Sequence, residues 1–113
     1  MNKREFYNKL VKALRVDGGF MVHTNDDAYN NPYQVTLYDP VDKYTTKSPI
    51  TFIVRCNKNI ASIYEYNDLG NLKLDDNLIL LKEVNWNSSY KSNMIVLTVK
   101  QLKELASERY LYQ

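Results

Sequence analysis

One cysteine, one histidine and three glycines are all that this chain offers to the commonest site-building chemistries. A lone Cys56 cannot close an internal disulfide, which excludes a secreted, disulfide-stapled scaffold. Three glycines cannot form a glycine-rich phosphate loop, and Gly18-Gly19 follow an expected helix, the wrong polarity for an anion site at a helix start. Long apolar runs are missing too. A stretch such as Leu78-Ile79-Leu80-Leu81 falls far short of the ~18 residues that a membrane span requires. The opening MNKREFYNKL has charges throughout and no apolar core of signal-peptide length, so elimination points to the cytoplasm.

Excess charge is another absence. A net +2 is too small to argue for nucleic acid by itself. Its distribution is uneven. Residues 1–16 carry Lys3, Arg4, Lys9, Lys12 and Arg15 against Glu5 alone, whereas residues 17–76 are mildly acidic. At 113 residues, 44% hydrophobic and 25% charged, the chain suits one globular domain with a single core and little material for a deep pocket. Asn, Lys, Tyr and Ile are abundant, while Gly, Ala, Arg and Pro are scarce. By codon content, that balance points to an AT-rich genome, such as a low-GC bacterium or one of its phages or plasmids.

Periodicity supplies the elements. Residues 3–16 read as a helix, with Asn2 as N-cap and Glu5 completing a capping box. Phe6, Leu10, Ala13 and Leu14 form its apolar stripe, widened by Tyr7 and Val11. Asp17-Gly18-Gly19 ends it. Strands are expected over 20–24, 33–38, 50–56 and 60–66, the last two joined as a hairpin across Asn57-Lys58-Asn59. In 50–56 the alternation places Ile50, Phe52, Val54 and Cys56 on one face. Asn67 to Asn71 reads as a turn, Leu72 to Leu74 as a brief edge strand, and 78–86 as a longer strand with Leu78, Leu80, Val84 and Trp86 on one face. Residues 93–98 read as a buried strand. Thr98 then caps a second helix over 99–109, with Tyr110, Leu111 and Tyr112 docking back on the sheet. Helices at the ends and strands between predict an α+β fold: a mainly antiparallel β-sheet of about five to seven strands, covered on one face by an N-terminal and a C-terminal helix.

Reactive groups are sparse. His23 could act as a general base oriented by Asp26 or Asp27, but no nucleophile stands beside it, and a strand residue at a turn is the commoner outcome. Zinc favours several Cys and His ligands, and calcium needs ordered acidic spacing around a glycine. Neither pattern surrounds Asp26-Asp27 or Asp75-Asp76, which mark solvated turns. Cys56 continues an apolar face and reads as structural. No catalytic residue, metal or cofactor is indicated.

Tyrosine is the unusual surplus, with 10 residues. Strands favour it and an AT-rich genome supplies it, yet tyrosine also provides stiff, amphipathic interface area. Asp26, Asp27, Tyr29, Tyr33, Asp42 and Tyr44 gather in or beside two polar segments, an aromatic and acidic combination suited to a basic protein groove. The leading expectation is therefore a non-catalytic binder from a phage or mobile element that modulates a host or defence protein, for example an anti-CRISPR or anti-restriction inhibitor. DNA mimicry is disfavoured by the positive balance. A second reading is a nucleic-acid accessory protein using Lys3, Arg4, Lys9 and Lys12 of the first helix for phosphate contacts. A third is a small enzyme or nucleotide binder centred on His23. Homo-oligomers remain compatible with all three.

Overall fold

The computed structural model describes residues 3–24, 33–38, 51–57, 60–67, 69–85 and 91–111. The elements run α1 (Lys3–Val16), β1 (Met21–Thr24), β2 (Gln34–Tyr38), β3 (Thr51–Cys56), β4 (Ile60–Tyr66), a 3₁₀ turn (Leu74–Asn77), β5 (Leu78–Asn85) and α2 (Lys91–Leu111). The five strands pair in chain order as an antiparallel meander, and both helices pack on one face, an α+β fold.

Helix α1 forms where the periodicity places it. Phe6, Leu10 and Leu14 are fully buried, with Tyr7 and Val11 beside them. Each such side chain contributes about 1.5–3 kcal/mol over leaving it exposed. The exit is tight. The Asp17 and Gly18 amides both donate to the Ala13 carbonyl, and the Phe20 amide turns back to the Leu14 carbonyl. Gly19 takes a φ of +69°, and a Cβ on Gly18 would stand 2.8 Å from the Leu14 oxygen. Those two glycines fold Phe20 into the core.

Register explains which side chains the helices cover. Val35 faces Val54, which faces Ile63; Cys56 faces Ala61, which faces Val84. Cross-strand partners share a face, so these rows line the core with Leu37 and Phe52. The hairpin at Asn57 closes as the spacing predicts, the Asn57 amide donating to the Ile60 carbonyl at 2.8 Å. Ile50, expected on the same face, lies outside the described residues.

Three expectations are corrected. The strand over 93–98 and the helix start at Thr98 are replaced by one continuous helix, Lys91–Leu111. A short apolar run such as Met-Ile-Val-Leu fits a buried strand or a helix equally well. Tertiary packing decides: Ile95, Thr98, Val99, Leu102 and Ala106 are buried at helical spacing, while Val96 is 68% exposed. Thr98 is no cap; its hydroxyl donates to the Met94 carbonyl at 2.6 Å, satisfying a buried polar group in mid-helix. Tyr110 and Leu111 continue this helix. Leu72 to Leu74 form no strand, because the chain bends there into the 3₁₀ turn. Finally, β5 carries a bulge: Lys82 opposes Ile63 and Leu80 opposes Tyr64, so Leu81 is inserted and the alternation changes phase. Leu80, expected on one face with Val84, is half exposed, and Leu81 packs on the core instead. Trp86 lies outside the described residues.

Candidate functional site

Between residues 69 and 80, five large aliphatic side chains are exposed: Leu69, Leu72, Leu74, Ile79 and Leu80. The other exposed large aliphatics among the described residues, Val16, Met21 and Val96, are scattered over three elements. These five are close along the chain, with Leu80, opposite Tyr64, and Ile79, opposite Glu65, on opposite faces of the β5 edge. Exposed apolar residues concentrated in one segment are characteristic of interaction sites, and scattered ones are not.

The segment carrying the leucines is rigidly built. It leaves β4 and returns at β5, and the Asn67 amide donates to the Asn77 carbonyl at 2.9 Å to close it. Gly70, at φ +81°, provides the reversal. At the centre sits Asn77, only 3% exposed. Its Oδ1 accepts from the amides of Leu69 and Asn71 at 3.1 and 3.3 Å. Its Nδ2 donates to the carbonyls of Asn71 and Lys73 at 3.0 and 3.1 Å. A carboxamide has two donor hydrogens and two acceptor lone pairs, and here all four are used. Asn71 adds a bond from its own Nδ2 to the Asp76 carbonyl at 2.8 Å. With its backbone anchored inward, the loop turns Leu72 wholly to solvent.

A second fixture ties the loop to the sheet. Arg55 of β3 donates from Nη2 to Asp75 at 2.6 Å and from Nε to the buried Gln34 of β2 at 2.8 Å. Its guanidinium also lies 5.4 Å from the Tyr64 ring centroid. The Arg55 hydrogen bond holds the Asp75 carboxyl below its ordinary range. The loop thus lies against the sheet face that the helices leave open. Beside it, β5 is an edge strand, paired only with β4 among the described residues, and its first half is Leu-Ile-Leu-Leu. Lys73, Asp76, Lys82 and Glu83 give the patch a polar surround of mixed sign.

Of the residues expected at a partner surface, Asp26, Asp27, Tyr29, Asp42 and Tyr44 lie outside the described residues. Tyr33 is half-buried at the start of β2. Its ring meets Tyr7 edge-on at 5.5 Å, the Lys3 ammonium sits 4.5 Å above it, and its carbonyl accepts the Cys56 amide. Lys3 is therefore engaged inward, while Arg4, Lys9 and Lys12 are exposed on α1. His23 is exposed on β1 and points away from the helices, its neighbours Val22 and Thr24 facing them. Cys56 is buried, and that burial pushes its thiol up to about 12 despite the opposing Lys3 charge. A thiol held protonated is a poor nucleophile. Among the described residues no three His, Cys, Asp or Glu side chains gather as metal ligands, and no helix is long and apolar enough to cross a membrane.

The leucine surface was not apparent from the sequence, where the loop reads only as a turn and a short strand. The available signal was three leucines at 69, 72 and 74 inside an otherwise polar stretch, with no alternation to bury them. No protein-family model, curated protein or solved structure matches this chain.

Proposed function

We propose that this protein is a non-catalytic binder whose partner is another protein, docked on the leucine-bearing loop and the adjoining β5 edge. The observation that carries this reading is the pairing of full exposure at Leu72 with a loop pinned by a buried, fully satisfied Asn77. A loop that needed only to connect two strands would gain nothing from outward leucines. A fixed loop presents them without an ordering cost on binding, which favours affinity. The partner should offer an apolar hollow for Leu72 and unpaired backbone groups or a second apolar surface for β5. Residue usage pointing to an AT-rich genome, together with the small domain, supports a phage or mobile-element protein acting on a host or defence protein, in the manner of anti-CRISPR or anti-restriction inhibitors.

The test compares wild type with Leu72→Asp as bait in lysate of an AT-rich bacterial host, with bound proteins quantified by mass spectrometry. The expected result is a protein retained in stoichiometric amount by wild type, cross-linked to residues 69–80, and lost by at least about tenfold with Leu72→Asp at unchanged melting temperature, because a central anchor is worth ~2 kcal/mol or more. Equal retention by both baits, or cross-links confined to other surfaces, sinks the proposal.

A further inference from the structure

The opposite edge of the sheet has a different chemistry. A cleft of about 430 Å³ runs between α1 and β1, lined by Tyr7, Asn8, Val11, Lys12, Arg15 and Thr24 along with Val16. On α1, Arg4, Asn8, Lys12 and Arg15 are spaced four, four and three residues apart, which places them in one row along the helix. All four are exposed, and the row contains three cations, one amide and no carboxylate. No carboxylate lines the cleft either, among the described residues. Lys9 flanks the row across a shallower depression that shares Lys12 and Val16 with the cleft; Asp17 at its far end is the acid there.

Arg15 is positioned rather than loose. Its Nη2 donates to the Val22 carbonyl of β1 at 3.3 Å, holding the guanidinium across the cleft mouth. One bond occupies one of five guanidinium hydrogens, leaving the rest of a planar fork for an anion. From Arg4 to Arg15 the helix rises roughly 16 Å. That length exceeds one phosphate and matches a run of them.

We infer that the α1–β1 cleft and its cationic row bind the phosphate backbone of a nucleic acid, without reading its sequence. Two features favour backbone contact over base recognition. Tyr7, the only ring lining the cleft among the described residues, is 9% exposed and donates its hydroxyl to the Gln34 carbonyl, so it offers no face for base stacking. Beside the apolar Val11 and Val16, the other groups are the cations Lys12 and Arg15 and the small polar side chains Asn8 and Thr24, the set that contacts phosphate oxygens. This site is separate from the leucine loop, and the two stand or fall independently.

The experiment is fluorescence anisotropy with the full chain and labelled random-sequence duplex DNA, single-stranded DNA and single-stranded RNA, plus flotation with anionic phospholipid vesicles. With about three phosphates neutralised on duplex, log Kd should change with log salt at a slope of magnitude roughly 2.7 between about 50 and 200 mM salt. Lys12→Glu combined with Arg15→Glu should weaken binding by at least about tenfold, because both cations leave the row and repel phosphate. The matching reversal at Lys100 and Lys103, exposed on α2, should leave it within about twofold, and Leu72→Asp should leave it unchanged. Binding insensitive to salt, a Lys12/Arg15 variant as tight as wild type, an equal loss from the α2 control, or tighter association with vesicles than with any nucleic acid each overturns the inference. Circular dichroism and melting temperature of the reversed variants show that the fold is intact; if the Lys12/Arg15 pair disturbs it, Lys12→Gln with Arg15→Gln carries the same prediction at a smaller loss.

Discussion

Asn77 shows how much one buried polar side chain can organise. Its carboxamide satisfies two amides and two carbonyls of the segment that presents the leucines, from a position closed to water. Asn77→Ala leaves those groups without partners, and we expect a loss of about 3 kcal/mol in urea denaturation, with the change confined by hydrogen exchange to residues 67–77. A loss under about 0.5 kcal/mol would show that water replaces the side chain easily. Cys56 makes a different prediction. Burial raises its folded value above 9.0 to about 12, whereas the unfolded thiol ionises near its ordinary value. The unfolded chain therefore releases a proton first as pH rises, so stability attributable to this group is intact below about 8.5 and declines through the interval up to its folded value. At pH near 8, an aromatic disulfide reagent should modify Cys56 only as fast as the protein opens, and Cys56→Ala should remove this group's share of the stability decline at alkaline pH. Immediate modification of the native protein would contradict the burial.

At the scale of elements, α2 shows how packing overrides local pattern. Residues 93–98 satisfy a strand template, yet they lie within the first half of a 21-residue helix. Val96 decides between the two conformations experimentally because its side chain is exposed. On a helix, Val96→Ala relieves the β-branched penalty and should stabilise the protein by about 0.5 kcal/mol. In a strand the same change would destabilise it, so thermal or urea unfolding of this one variant distinguishes the two by sign. The bulge in β5 belongs to the same scale. It turns Leu80 outward and Leu81 inward, and thereby creates the apolar edge beside the leucine loop.

For the whole molecule, the meander order places β1 and β5 at opposite edges of the sheet. Four inter-strand spacings separate them by roughly 19 Å. The cationic row lies at the β1 edge and the leucine loop at the β5 edge, so a protein partner and a phosphate backbone would not compete for space. Combining Leu72→Asp with Lys12→Glu and Arg15→Glu should therefore give in each assay only the loss caused by the substitutions at its own site, as expected for sites sharing no partners. Coupling between the two assays would mean that the surfaces overlap in the bound complex.

The amino-acid sequence by itself determined the α+β class, the extent of α1, the positions of all five strands and the β3–β4 hairpin. Those features rest on short-range rules: a stripe at helical spacing, alternation at period two, and glycines where the chain must reverse. It also isolated the basic residues of α1. Tertiary structure alone decided the helical state of 93–98, the phase of β5, the engagement of Lys3 with Tyr33, and the outward leucines. The reason is common to all four. An apolar run specifies burial but not geometry, a bulge depends on the partner strand, and a side chain is exposed or covered only in relation to distant residues. Asn77 illustrates the limit, since its sequence reads as one more turn asparagine and only the folded loop shows four backbone groups converging on it.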